Sequence, residues 1–148
     1  AARRGEGAAL AHLLETMLTG IAALVEAADA NPARRPEAVR ERLAQSIQTL
    51  MESSRGFDEN RLHQEAILLA AKADIREELD RLKTHVAAAR ALIDEGGPIG
   101  RRLDFLAQEL SREASTLCAK ANDVSLTAQG LELRAQIEQF REQVQNVE

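Results

Sequence analysis

Between residues 75 and 93 the apolar side chains fall at Ile75, Leu79, Leu82, Val86, Ala89 and Ile93, steps of 4, 3, 4, 3 and 4 through an otherwise charged stretch. That rhythm belongs to an α-helix, because a strand alternates with period two. The apolar stripe is also narrow, so the helix must bury it lengthwise against another helix. The same spacing recurs at Leu103, Leu106, Leu110, Ala114, Leu117 and Ala121, and again at Leu126, Leu133, Ile137, Phe140, Val144 and Val147. Upstream, Leu10, Leu14, Met17, Ile21, Leu24 and Ala28 form a stripe, and Pro36 opens a segment striped by Val39, Leu43, Ile47 and Leu50. Residues 58–72 carry Leu62, Ala66 and Leu69 together with Ile67 and Leu68, which predicts a helix buried on several sides. Aromatic content is 2%, with Phe57, Phe105 and Phe140 and no Trp or Tyr, which argues against an all-β sandwich or barrel.

Two clear interruptions punctuate the helical pattern: Asn31-Pro32-Ala33-Arg34-Arg35-Pro36 and Glu95-Gly96-Gly97-Pro98. A softer break falls at Ser53-Ser54-Arg55-Gly56-Phe57-Asp58. Asp74-Ile75-Arg76-Glu77 has the form of an N-cap followed by an acid at the third helical position, which predicts a bend or restart near Asp74. The expected fold is all-α: an elongated helical bundle of about five to six helices with long antiparallel hairpins.

The chain has 148 residues, 45% of them hydrophobic, and a net charge of −5, so it can bury a core and does not read as disordered. Mild acidity argues against wrapping duplex nucleic acid through overall charge but leaves room for a local basic groove. Arginine outnumbers lysine, 16 to 3, which suits bidentate recognition of phosphate or carboxylate. Cys118 is the only cysteine, so the expected setting is reducing and cytoplasmic, and the thiol reads as a small buried hydrophobe beside Leu117. No stretch reaches the ~18 apolar residues that would suggest a membrane span, and no membrane association is expected. The chain opens on Ala1-Ala2-Arg3-Arg4-Gly5 without Met or a signal-peptide pattern, and reads as the C-terminal part of a longer protein.

Walker loops, glycine fingerprints, Cys-x-x-Cys and His-Glu-x-x-His are absent. Two polar stripes remain. Asp74, Glu78, Arg81 and His85 follow one another at spacings of 4, 3 and 4 on one helix face. Acids there can hold a divalent metal while His85 moves a proton, yet Glu77–Arg81 and Glu78–Arg81 are equally ordinary intrahelical ion-pair spacings. Glu78 and His85 stand about 10 Å apart along the axis, so one ion would need acids from a second helix or subunit. The second stripe runs through Arg102, Glu109, Glu113, Thr116 and Lys120, a mixture that suits metal plus phosphate or a salt-linked surface alike. Arg101 and Arg102 fall in the first turn of their helix, where the macrodipole disfavours cations, so an anionic partner is expected there, either phosphate or a carboxylate from another subunit. His12 and His63 are weaker candidates, each isolated from other chemistry-bearing residues.

Residues 58–148 also resemble the YicC/YloC family of bacterial endoribonucleases. The resemblance rests on Gln64-Glu65, Ala73-Asp74-Ile75, Glu77-Glu78-Leu79-Asp80-Arg81-Leu82 with His85, Gly96-Gly97-Pro98-Ile99-Gly100-Arg101-Arg102-Leu103-Asp104-Phe105 and Gln108-Glu109-Leu110-Ser111-Arg112-Glu113-Ala114, then Lys120 and the stretch from Ile137 to Glu148. Ser115 departs from the family pattern, which usually reads Arg-Glu-Ala-Asn-Thr. On this resemblance, residues 58–148 are a C-terminal helical domain, residues 1–57 a helical hairpin from the family's middle region, and the family's N-terminal domain is missing. It implies metal-dependent cleavage of single-stranded or small regulatory RNA by a ring-like homo-oligomer, with Mn or Mg as the divalent metal. The residues then take expected roles: Glu65, Asp74, Glu78, Glu109 and Glu113 as candidate metal ligands, and His85, with Glu78, as the catalytic pair. Arg81, Arg101, Arg102, Arg112 and Lys120 are expected to hold RNA phosphates. So few aromatics imply backbone and shape recognition with little base stacking. The competing expectation is an oligomerisation and RNA-clamping module whose chemistry lies in the missing N-terminal domain.

Overall fold

A computed structural model describes residues 2–53, 60–61, 64–68 and 74–147. The described residues are helical or in turns, with no strand among them, so the fold is all-α. Helix α1 spans Ala2–Asp29, a 3-10 turn spans Pro32–Arg34, and α2 spans Pro36–Ser53. Helix α3 spans Arg76–Glu95, α4 spans Gly100–Lys120, and α5 spans Val124–Val144. Residues 60–61 and 64–68 are also helical. The softer break expected near residues 53–58, and Leu62, His63 and Leu69, lie almost wholly outside the described residues.

Helices α1, α3, α4 and α5 form a four-helix bundle in which each packs on two neighbours: α1 on α3 and α5, and α4 on α3 and α5. The chain runs alternately up and down through them. Lys83 near the start of α3 reaches Asp29 at the end of α1, and Asn31 just beyond α1 reaches Ser125 and Gln129 at the start of α5. Short connections between α3, α4 and α5 force this antiparallel order.

Each boundary has a local cause. Asn31 Oδ1 accepts from the Ala33 amide (2.8 Å), while its Nδ2 donates to Gln129 Oε1 (2.7 Å), so a buried Asn both caps the 3-10 turn and ties it to α5. Asp74 Oδ1 accepts from the Arg76 amide (3.0 Å), which starts α3 two residues after the expected cap. At the other end, Gly96 and Gly97 both take positive φ (70° and 76°), the conformation that stops α3 and turns the chain into α4. Asp123 caps α5 by accepting from the Leu126 amide.

The core is built from Leu14, Leu18, Ile21, Val25 and Ala28 of α1, Leu79, Leu82, Val86, Ala89 and Leu92 of α3, Leu103, Ala107, Leu110, Ala114 and Leu117 of α4, and Leu126, Leu133, Ile137, Phe140 and Val144 of α5. The expected C-terminal seam is therefore inside. In the other helices the buried line sits slightly rotated: Leu18 and Val25 replace Met17 and Leu24, Leu92 replaces Ile93, and Ala107 replaces Leu106. The displaced residues line the edge, because a helix meeting two neighbours buries a stripe wider than a single seam. Helices α4 and α5 approach so closely at Gly130 that a Cβ there would lie 2.8 Å from Cys118 Sγ, which fixes a residue without a side chain at that crossing. Burial pushes the Cys118 thiol above its usual pKa, which suits a packing role.

Two expectations change. Ala66 is buried but Ile67 and Leu68 are exposed, so the segment 64–68 presents one face inward, not several; successive helical positions turn by about 100°. Helix α1, over Gly7–Asp29, is long and apolar enough on average to cross a membrane, although its apolar run is interrupted. Its leucine, isoleucine and valine residues raise that average, and of these Leu14, Leu18, Ile21 and Val25 go to the bundle core.

A charged knot closes the end of the bundle where α1 meets α3. Asp29 accepts from Arg34, from Lys83 Nζ (2.5 Å) and faces Arg76 (3.5 Å). The Lys83 ammonium holds the Asp29 carboxyl below its usual range, and Asp29 in turn raises the Lys83 pKa. The Asp29 contribution is thus fully present above the unfolded pKa of 3.8 and is lost as pH falls through the lower folded value. Asp29→Asn should cost on the order of 1 kcal/mol at neutral pH, the partners being partly solvated. In urea titrations the gap between variant and parent should close below pH ~4; a gap independent of pH would contradict the ion pairing. Phe140→Ala, which empties a wholly buried site, should cost about 3–5 kcal/mol in the same titration at neutral pH.

Candidate functional site

The α3–α4 hairpin sets one polar stripe against the other. Because the helices run antiparallel about the Gly96-Gly97 turn, residues at broadly matching distances along the two helices meet: Glu95 with Arg102, His85 with Glu109, Arg81 with Glu113 and Glu78 with Lys120. The two rows of charges, ambiguous when taken singly, converge.

Glu78 and Glu113 are almost fully buried, with 1% and 6% of their surfaces exposed. A buried carboxylate demands a partner, and each has one from the opposite helix. Lys120 Nζ lies 2.6 Å from Glu78 Oε1, and Arg81 Nε donates to Glu113 Oε1 at 2.7 Å. Arg81 also faces Glu77 (3.6 Å) and Glu78 (3.9 Å), so the intrahelical pairs are present as well, but they are longer than the bond across the groove. The hydrogen bond to Glu113 raises the Arg81 pKa further. The second oxygen of Glu78, Oε2, is buried without a hydrogen-bond partner among the described residues. A carboxylate with acceptor capacity left over marks the place in the groove where a further cation or donor would be favoured.

One turn along from Arg81, the ligand atoms of His85, Glu109 and Glu113 all lie within 4.8 Å of one another. One imidazole nitrogen and two carboxylate oxygens suit Mn²⁺ or another borderline divalent ion, and a hard ion such as Mg²⁺ could use the two carboxylates. The set is open on one side, with three ligands from the protein, which leaves positions for water or a phosphate oxygen. The donors fit a divalent metal by their chemistry and spacing.

The other expected site residues are placed differently. Asp74 precedes α3 and lines a separate cavity of about 340 Å³ with Arg34, Arg40 and Arg42, where it caps the helix start. Glu65 is exposed within the helical segment 64–68, and no contact among the described residues joins it to the groove. Arg112 is exposed and pairs loosely with Glu109 at 3.9 Å. Arg102 pairs with Glu95 (3.6 Å) of the preceding helix, an acid of the same chain where phosphate or another subunit's carboxylate was expected. Arg101 is exposed beside it and has no ion pair among the described residues. His12 is exposed on α1, away from the groove. The grouping of His85 with the two acids as a ligand set differs from the proton-moving role expected for it. The mirror relation of the two stripes about Gly96-Gly97 is the sequence signal that finds it.

A family model described as "Endoribonuclease YicC-like, C-terminal" matches residues 28–148. A protein named "Probable endoribonuclease YicC" from Haemophilus influenzae is 39% identical over 148 residues, covering all of this chain and 50% of that protein. A protein of the same name from Clostridioides difficile is 39% identical over 112 residues, 76% of this chain and 38% of that one. The chain thus spans half the length, or less, of these curated relatives. With the family match running from the last turn of α1 to the final residue, the chain belongs to the YicC-like endoribonuclease family and corresponds to its C-terminal helical region.

Proposed function

We propose that this chain is the C-terminal helical part of a divalent-metal-dependent endoribonuclease, and that the α3–α4 groove is where the RNA backbone meets the metal. The observation that supports this most strongly is the convergence of His85, Glu109 and Glu113 beside Arg81 and Lys120 in one groove. Carboxylates and cations set side by side suit a phosphodiester, which needs its charge neutralised on one side and a nucleophile oriented on the other.

His85, Glu109 and Glu113 would hold the ion; when bound it would act as a Lewis acid toward a phosphoryl oxygen and lower the pKa of a water. The chain's own side chains do the rest. Glu113 fixes Arg81 through its Nε, and the two terminal nitrogens, which make only the longer contacts to Glu77 (3.6 Å) and Glu78 (3.9 Å), would turn to donate to phosphate. Glu78 holds Lys120 at the far end of the groove, so its positive charge stays near the strand. With one His85 ring nitrogen on the ion, the other would stay protonated as a hydrogen-bond donor, so the ligand role takes the place of the proton-moving one. Glu78, bonded to Lys120 and buried, serves as an anchor of the groove. Cleavage of single-stranded or small RNA, a homo-oligomeric assembly and a cytoplasmic location complete the proposal.

A second reading, in which this region clamps RNA for chemistry elsewhere, is favoured by one fact: the chain covers only 50% of the Haemophilus relative. Cleavage of a single-stranded RNA in Mn²⁺ or Mg²⁺, by this chain and by a protein of the relatives' full length, separates the two. Activity in both supports chemistry in the groove, whereas an inert fragment beside an active whole supports the clamp. In either protein, Glu113→Gln and His85→Ala should each weaken Mn²⁺ binding, followed by electron paramagnetic resonance, by about tenfold or more. Both should also abolish most of the cleavage by the active form. Unchanged Mn²⁺ affinity in both variants would contradict the ligand assignment. Lys120→Ala should cost about 2 kcal/mol in denaturant titration, because it strands a buried carboxylate at a partly solvated edge.

A further inference from the structure

Between the His85 cluster and the α3–α4 turn, the residues along the helix contact change from mainly charged to mainly apolar. There a cavity of about 560 Å³ opens between the helices, floored by Ala88, Leu92 and Leu106 and edged by Phe105, Arg101 and Arg102. Phe105 is 60% exposed, although burying an aromatic ring of this size is worth on the order of 2 kcal/mol. The cavity volume falls in the range of small-ligand sites, and small alanine side chains on α3 leave the open space beside the ring.

The position of this cavity decides what it fits. Phe105 precedes Glu109 by one helical turn, about 6 Å along the axis, the order of one nucleotide step along an extended strand. Ala88 follows His85 by three residues, on the same face of α3. An apolar recess with an aromatic wall thus adjoins the candidate metal ligands. Its rim carries two arginines in the first turn of α4: Arg102, paired with Glu95 at 3.6 Å, and Arg101, free of ion pairs among the described residues. A planar apolar group tethered to an anion matches the recess, and a nucleotide is such a group.

Building on the function proposed above, we infer that this cavity is a base-binding subsite for one unpaired nucleotide next to the scissile phosphate. Phe105 supplies the stacking face and Arg101 the contact to the neighbouring phosphate. Stacking on one aromatic ring is tolerant of base identity, so the subsite selects unpaired over duplex RNA without reading sequence. This modifies the expectation of recognition through backbone alone: the chain has three aromatic residues, and one of them stands exposed in the groove.

The absence of Trp and Tyr makes the test clean, because Phe105→Trp places a single fluorescent reporter in the cavity. The probe is a short 2′-O-methyl oligoadenylate, which resists cleavage, in Mg²⁺, beside an abasic strand of the same length. Indole emission of the Phe105→Trp variant should be quenched saturably by the oligoadenylate and not by the abasic strand. Phe105→Ala and Phe105→Leu should each weaken oligoadenylate binding about tenfold, as expected for one lost stack, and leave the abasic strand's affinity unchanged. Phe105 lies largely outside the core, so both variants should keep the parent's thermal unfolding. Oligoadenylate binding with the indole unquenched and Phe105→Ala unimpaired would overturn the subsite while leaving the RNA-processing reading intact. No binding of either strand by the unaltered chain would overturn both. Indole emission that depends on protein concentration alone would assign the cavity to a contact between copies and overturn the subsite.

Discussion

Everything of chemical interest in this chain depends on the antiparallel packing of α3 against α4. Two buried carboxylates lie in that contact, Glu78 on α3 and Glu113 on α4, and each is matched by a cation from the opposite helix. Apolar residues would fill the same space at no electrostatic cost, and replacing buried ion pairs by hydrophobes is often neutral or stabilising. The fold itself does not need charges there, since Leu79, Leu82, Leu110 and Leu117 already form the core side of the same two helices. A charged seam beside a sufficient core is more readily explained by what it binds than by what it holds together. The rest of the bundle backs this contact: α1 packs on α3, α5 packs on α4, and α1 and α5 pack on each other.

Much of the fold was legible in the residues, and for an identifiable reason. The 4-3-4 rhythm of Ile75 to Ile93 and the seam from Leu126 to Val144 predict helices packed lengthwise; the Asn31–Pro36 interruption ends α1, and the Gly96–Pro98 interruption turns the chain back from α3 into α4. The rotation of the buried line in α1 and α4 was not legible. It depends on which two neighbours each helix meets, and Leu18 or Ala107 can be chosen over Met17 or Leu106 only once those neighbours are known. The exposure of Ile67 and Leu68 has the same origin: a run of apolar residues does not say how many faces will be covered.

The site was half legible. Both polar stripes stood out by spacing, and the need for acids from a second helix followed from the helical rise alone. What spacing on one helix cannot give is the pairing across helices. Arg81 was expected on Glu77 or Glu78 and makes its shortest bond to Glu113; Lys120 was expected on phosphate and holds Glu78. The glycine turn contains the missing information, since it sets the register in which the stripes meet. Asp74 was grouped with the other acids by its spacing to Glu78 and Glu65 by the family resemblance, and the helix start at Arg76 leads Asp74 into a different cavity.

The proposed chemistry turns on whether His85, Glu109 and Glu113 act as one cation-binding set. The chain contains three histidines, His12, His63 and His85, so binding can be followed ring by ring. In imidazole ¹H–¹⁵N correlation spectra, substoichiometric Mn²⁺ should broaden the His85 ring signals first and leave those of His12 sharp. Equal broadening of His12 and His85, or none at His85 while Mn²⁺ binds, would contradict the claim.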